Sequence, residues 1–271
     1  MSGNSPVILW FRRDLRLSDH PALDMAAQSG KPVIPVFIHD DQIDDLGAAP
    51  KWRLGLGVET LADSLAEISS RLILRKGTAL DVLRALVAQT GAGAVYWTRL
   101  YDPNSVRRDT EIRNTLISES IDARSFGGHL MFEPWAVETK AGGYYKVYTP
   151  FWNAVKNKGV DLPVRRPSML IKPDTWPDSD DIEHWQMGAA MQGGAEIVRP
   201  FVQLGEKAAQ SRLGSFIAQG MADYRKNRDL PGVDGTSNLS ENLALGEISP
   251  RQCWHAGQRA LNEGKSGAET F

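Results

Sequence analysis

Short apolar runs alternate with helically spaced ones through the first half of the chain. Val7 to Phe11 form a continuous apolar run too short for a helix, which predicts a buried strand. A charged loop follows, then helical spacing over 21–29. Residues 33–38 predict the next strand, although Pro35 inside it removes a ladder donor and so predicts a bulge. An amphipathic helix is expected over 52–71, and a short strand over 72–74. Thr78-Ala79-Leu80-Asp81 reads as a capping box for a helix ending near Thr90. Residues 94–98 predict a fourth strand, 105–120 a helix and 123–126 a fifth strand. Strands separated by helices require crossovers. The pattern therefore predicts an α/β fold over 1–130: a five-stranded, doubly wound parallel sheet with the first strand central.

The pattern changes after His129. Gly142-Gly143, Gly193-Gly194 and the prolines at 150, 163, 167, 173 and 177 punctuate the sequence, with one helix expected over 151–158. A stretch this long is not an ordinary connection, so 131–200 reads as an inter-domain linker. Helical periodicity returns after Glu206, through Leu213, Ile217 and Met221, so 201–271 reads as the first part of an all-α domain. Within it, Ser249-Pro250-Arg251-Gln252 is a second capping box, with proline at the first helical position.

Composition narrows the class without naming a chemistry. Lys plus Arg (31) nearly balances Asp plus Glu (33), so any nucleic-acid contact must come from a local patch. Cys253 is the single cysteine, which excludes an intramolecular disulfide and fits a reducing compartment. The first residues do not resemble a secretion signal, and no run approaches the roughly twenty apolar residues of a membrane span. A cytoplasmic protein is expected. The turn after the first strand carries Arg12, Arg13, Asp14 and Arg16 in place of G-x-G-x-x-G, so these charges predict an ion-pair network and not a dinucleotide site. The five histidines show no metal-ligand spacing.

The densest chemistry lies between Tyr224 and Arg251. Thr236, Ser237, Asn238, Leu239 and Ser240 place three hydroxyls, an amide and several backbone N–H groups in one turn opened by Asp234-Gly235. Such a turn can hold a phosphate without lysine, because hydroxyls and turn amides donate to its oxygens. On composition alone it reads first as a polar connection between two helices.

The order of these residues resembles one family. Tyr-x-x-x-Arg, then Asp-Gly-Thr-Ser-x-Leu-Ser, then Gly-x-x-Ser-Pro-Arg resembles the start of the flavin-binding domain of DNA photolyases and cryptochromes. Leu9-Trp10-Phe11-Arg12-Arg13-Asp14-Leu15-Arg16-Leu17-Ser18-Asp19 independently resembles that family's opening strand and loop. The resemblance runs along nearly the whole chain, but the family's proteins continue well beyond Phe271.

The resemblance implies FAD as cofactor, with Tyr224 and residues Thr236, Ser237, Asn238, Leu239 and Ser240 at its phosphates. It implies Arg228 against DNA, Phe271 against the cofactor, and Asn104 at an antenna chromophore in a cleft near the fourth strand. That chromophore could be a folate, a deazaflavin or a flavin. Ser105 stands where folate-binding relatives have a glutamate, which leaves its identity open. The implied activity is light-driven splitting of cyclobutane pyrimidine dimers in damaged DNA by a protein monomeric when complete. The alternatives are a cryptochrome-type photosensor acting through a protein partner, or a small-molecule-binding α/β module without catalysis. The eight tryptophans read as core packing, since the family's electron relay and its catalytic residues would fall beyond Phe271.

Overall fold

The computed structural model describes residues 5–271. Five strands, β1 (Val7–Phe11), β2 (Val33–His39), β3 (Ile73–Lys76), β4 (Ala94–Thr98) and β5 (Asp122–Phe126), form one sheet of order β3-β2-β1-β4-β5. All four pairings are parallel, and β1 is central. The crossovers carry α1 (Pro21–Gln28), α2 (Asp41–Asp44), α3 (Ala48–Glu67), α4 (Ala79–Thr90) and α5 (Pro103–Ser118). Every residue of β1, β2 and β4 is buried, as expected for strands covered on both faces. One core lies between the sheet and α1 and α3, around Leu9, Phe11, Leu23 and Leu61. The other, around Trp10, Ile34, Leu83 and Trp97, lies beneath α4 and α5.

Two local expectations are corrected. There is no bulge at Pro35: the register runs from Val7 opposite Val33 to Phe11 opposite Phe37 without a slip. Val33 donates its N–H to the Ile171 carbonyl, away from β1. Pro35, two residues on, turns its missing donor to that same side, where pairing with β3 begins only at Val36. Nor does Thr78 close a capping box, since its side chain makes no capping bond; α4 instead ends on Gly91 in the left-handed region.

Beyond the sheet come α6 (Tyr148–Val155), α7 (Gly194–Val198), α8 (Gly205–Ser215), α9 (Tyr224–Asn227), α10 (Ser240–Ala244) and α11 (Pro250–Asn262). A π-helical turn over Phe216–Gly220 and a 3-10 turn over Met221–Asp223 carry α8 into α9. The capping box on α11 is present in full: Ser249 receives the Gln252 N–H, and the Gln252 side chain receives the Ser249 N–H.

Buried polar contacts join the helical segment to the loop after β1. The Glu206 carboxylate accepts the N–H groups of Leu17 (2.9 Å) and Ser18 (3.0 Å). Arg16 donates to the carbonyls of Gly246 (2.9 Å), Gly128 (2.8 Å) and Asp19 (2.8 Å). Gly246 has φ +66° and presses on the Arg13–Asp14 backbone so closely that a Cβ would collide with it. The Asp19 carboxylate receives Val164 N–H from the intervening segment and Ser249 and Arg251 from α11.

Candidate functional site

Strand order 3-2-1-4-5 reverses direction between β1 and β4, the switch point at which open α/β sheets leave a crevice at the strands' carboxyl ends. A cavity of about 280 Å³ lies there. Arg12 and Arg13 follow β1, Phe37 and Ile38 lie at the end of β2, Asp40 follows it, and Leu100, Asp102 and Asn104 follow β4; α2 adds Gln42 and Ile43. Arg12 and Arg13 therefore border a cavity, which the ion-pair expectation for this turn did not include. The pairing is also real. Arg12 grips Asp109 with one nitrogen, 2.8 and 2.7 Å from its two oxygens, and donates to the Thr98 carbonyl. Arg108 bonds Asp40 and Asp109, and both arginines lie over the Trp10 ring. Arg16 departs from the expectation, because its partners are backbone carbonyls.

Asn104 lines this cavity and receives a bond from Arg107 (2.8 Å). Ser105 does not line it. Its hydroxyl is buried and donates to Gln42 Oε1 (3.1 Å), while its N–H is capped by Asp102 (2.9 Å). Gln42, which Ser105 holds, is a cavity residue that sequence reasoning missed. The only available signal was the switch-point rule, which identifies an end of the sheet and not a side chain.

The hydroxyl-rich turn is built on a close contact. Gly235 is buried against Asn227 at the end of α9, where any Cβ would collide. Asn238 follows at φ +51°, held by its amide donating to Asp234 (2.7 Å) and accepting the Thr236 hydroxyl (3.0 Å). The N–H groups of Thr236, Ser237, Asn238 and Leu239 have no hydrogen-bond partner among the described residues, and neither has the Ser237 hydroxyl. Consecutive unpaired backbone donors beside hydroxyls suit an anion.

The structure divides this turn between two surfaces. Ser237 and Leu239 border an open cavity of about 860 Å³ with Trp152, Trp254, Gly257 and Phe271. Asn238 and Ser240 face a separate hollow with Phe201 and Arg212. Thr236 is exposed and borders neither. Tyr224 packs edge-on against Phe216 (5.4 Å) and Phe271 (5.9 Å), so it reaches the larger cavity through Phe271. Arg228, at the end of α9, is exposed; its guanidinium lies 5.9 Å from the Tyr224 ring and 3.6 Å from Asp229. No group of three or more His, Cys, Asp or Glu among the described residues could hold a metal ion, and no helix among them is long and apolar enough to cross a membrane.

A switch-point cavity on a doubly wound sheet, joined by buried ion pairs to a helical segment with an anion-ready turn, defines a two-site α/β-plus-helical protein. Comparison with known proteins gives the family: the DNA photolyase family model matches residues 7–168, and the chain belongs to that family. The chain is 40% identical to the deoxyribodipyrimidine photo-lyase of Agrobacterium fabrum over 253 residues, covering 93% of this chain and 53% of the relative. It is 32% identical to Cryptochrome-1 of Arabidopsis thaliana over 257 residues, covering 92% of this chain and 37% of the relative. The crystal structure of a bacterial class III photolyase from Agrobacterium tumefaciens superposes with a TM-score of 0.93 at 38% identity, over 98% of this chain and 56% of that one. The chain thus spans about half the length of the two photolyases and 37% of the cryptochrome.

Proposed function

We propose that this chain is the first half of a light-driven DNA-repair enzyme that binds FAD and acts on pyrimidine dimers in damaged DNA, as a cytoplasmic monomer when complete. The observation that carries this reading is the turn at 236–239, where four consecutive N–H groups lie unpaired beside two hydroxyls and where Ser237 and Leu239 border a large cavity with aromatic walls. These residues fit a phosphate-bearing ligand with a flat ring. The higher identity to a photo-lyase than to a cryptochrome supports repair over photosensing. We divide the chain into an α/β antenna domain (1–130), a linker (131–200) and the first part of the FAD domain (201–271).

The chemistry supplied by bound, reduced FAD is light-driven electron donation that splits the cyclobutane ring of a dimer flipped out of the duplex. The protein's own residues have other tasks. Thr236, Ser237 and Ser240, with the amides of Asn238 and Leu239, hold the phosphates; Tyr224 and Phe271 pack beside them. Arg228 is free to meet a DNA phosphate. Asn104 lies in the switch-point cavity, where a second chromophore (folate, deazaflavin or flavin) would harvest light. At about 280 Å³ that cavity suits a ring system and not a whole dinucleotide.

The test is a chimera that joins this chain at Phe271 to the remaining half of the Agrobacterium fabrum photo-lyase. Copurified FAD and light-dependent dimer reversal are expected. Thr236→Ala with Ser237→Ala should lower FAD affinity about tenfold or more, at about 1–2 kcal/mol for each lost bond. A folded chimera without repair activity refutes the enzyme reading, and unchanged FAD affinity in the double variant refutes the phosphate assignment.

A further inference from the structure

A chain of polar groups, buried at its α3 end and reaching the surface at Asn238, connects α3, in the α/β domain, to the proposed phosphate turn. Arg53 is buried in α3 and grips the fully buried Glu247 with two bonds of 2.9 and 2.7 Å. It also donates to Glu241 (3.2 Å) and to the Gln203 carbonyl (3.2 Å). Glu247 accepts the Asn242 amide (2.6 Å), and Asn242 is itself fully buried. Its carbonyl oxygen accepts from Arg212 (3.0 Å), and the same Arg212 nitrogen donates to the backbone carbonyl of Asn238. Two cations and two anions, Arg53, Arg212, Glu241 and Glu247, close the network without excess charge.

The end of this chain of contacts sits where the turn is conformationally special. Asn238 is the one residue of the turn held at positive φ, and its carbonyl is the atom that Arg212 fixes. A left-handed residue between two ordinary ones decides which way the preceding N–H groups point. The Arg53–Glu247–Asn242 links are buried, so little solvent competes for their donors and acceptors, whereas the last link, Arg212 to the Asn238 carbonyl, lies at the surface. Burial disfavours the charge on Arg53, but its bonds to Glu247 and Glu241 outweigh that and raise its pKa, so the network stays charged.

We propose that Arg53 is a positioning residue for the 236–240 turn: through Glu247, Asn242 and Arg212 it fixes Asn238 and thereby aims the turn's N–H groups at a phosphate. This rests on the flavin-phosphate reading of the turn and adds to it a link from the other domain. Docking of the α/β domain and occupancy of the turn are then coupled, and each strengthens the other.

The experiment uses the 271-residue chain labelled with 15N and titrated with ADP, the diphosphate half of FAD, alongside Arg53→Met and Arg53→Met with Glu247→Met. Removing Arg53 alone strands a buried carboxylate and destabilises the fold. The double variant replaces the pair with apolar groups, which restores stability but takes from Asn242 its carboxylate acceptor and leaves it only the Gln203 carbonyl (3.0 Å). In the double variant, thermal stability should return close to wild type. ADP affinity should stay about tenfold or more below wild type, with shifted amide signals at 236–240 and unshifted signals in β1. If the turn signals and ADP affinity recover together with stability, Arg53 is merely structural and the proposal is overturned. If wild type shows well-resolved turn signals that ADP does not move, the phosphate reading itself fails and takes the proposal with it. Turn signals that shift in the double variant without loss of ADP affinity overturn the positioning role while leaving the phosphate reading intact.

Discussion

Removing the Asp19 carboxylate should undo the docking of the helical segment onto the α/β domain. Asp19 is fully buried at φ +51°, in the loop between β1 and α1. Its two oxygens accept from Arg251 Nη2 (2.6 Å) and Nε (3.1 Å), from Val164 N–H (3.0 Å) and from the Ser249 hydroxyl. These donors come from two parts of the chain, the segment at Val164 and the start of α11, and the carboxylate joins both to the loop after β1. Hydrogen bonds to a charged group contribute about 1.5–3 kcal/mol each, but bonds sharing one carboxylate are not additive. Breaking a buried pair by deleting one partner costs about 3–5 kcal/mol. Asp19→Ala also forces alanine into a left-handed conformation, at about 1–2 kcal/mol. A loss of about 4–7 kcal/mol is expected, against a total stability of about 5–15 kcal/mol for a protein. Asp19→Asn keeps the size and tolerates the backbone, so it should lose less, about 2–3 kcal/mol. Urea denaturation followed by circular dichroism measures the total. Fluorescence of Trp254 on α11, with the other tryptophans replaced, reports local release of the helices. Asp19→Ala within about 1 kcal/mol of wild type, with α11 still docked, would show that the contact is dispensable and the reasoning wrong.

Three further outcomes are expected. His129 has an enclosed Nε2 without a partner among the described residues, and burial lowers its pKa from 6.5 to about 4; Asp14 opposes the shift, while Arg16, Arg12 and Arg13 add to it. Its unfolded form therefore takes up a proton first, so stability is full above about pH 6.5 and falls as pH drops toward 4. Urea melts at pH 7 and pH 5 should differ by about 1–2 kcal/mol more in wild type than in His129→Leu, and equal differences would contradict this. Thr78→Ala should change stability by less than about 0.5 kcal/mol because no capping bond is lost, whereas Ser249→Ala should cost about 1 kcal/mol or more; the reverse order in thermal melts would contradict the capping geometry. Finally, the 271-residue chain alone should purify without stoichiometric FAD and should not repair DNA. Its larger cavity is open, and Leu243, Leu261 and Phe271 on its walls are exposed; yellow, repair-competent protein would show the site to be self-contained.

The sequence by itself determined the sheet and the order of its main elements, while the ends of α3, expected over 52–71 and found over Ala48–Glu67, were displaced by four residues. Strand period, apolar run length and crossover helices are local signals, and they were sufficient to place all five strands and to make β1 central. The Ser249 capping box was equally legible, because both of its partners lie within one turn. The same local reading failed at Thr78, where the right residue types occur without the bond, and at Pro35, where the side of the strand that lacked a neighbour decided the outcome. The hydroxyl turn was visible as composition and order. That its Ser237 and Asn238 face different hollows was not, since this depends on how α10 and α11 pack. Least legible were the charged residues that hold the site in place. Arg53 lies in the middle of a helical pattern and reads as an ordinary surface arginine, yet its partner Glu247 is 194 positions away. Asp19 and Arg251 are 232 positions apart. A buried charge is tolerable only beside its opposite, and which charges meet is decided by how the chain folds back, not by any spacing along it.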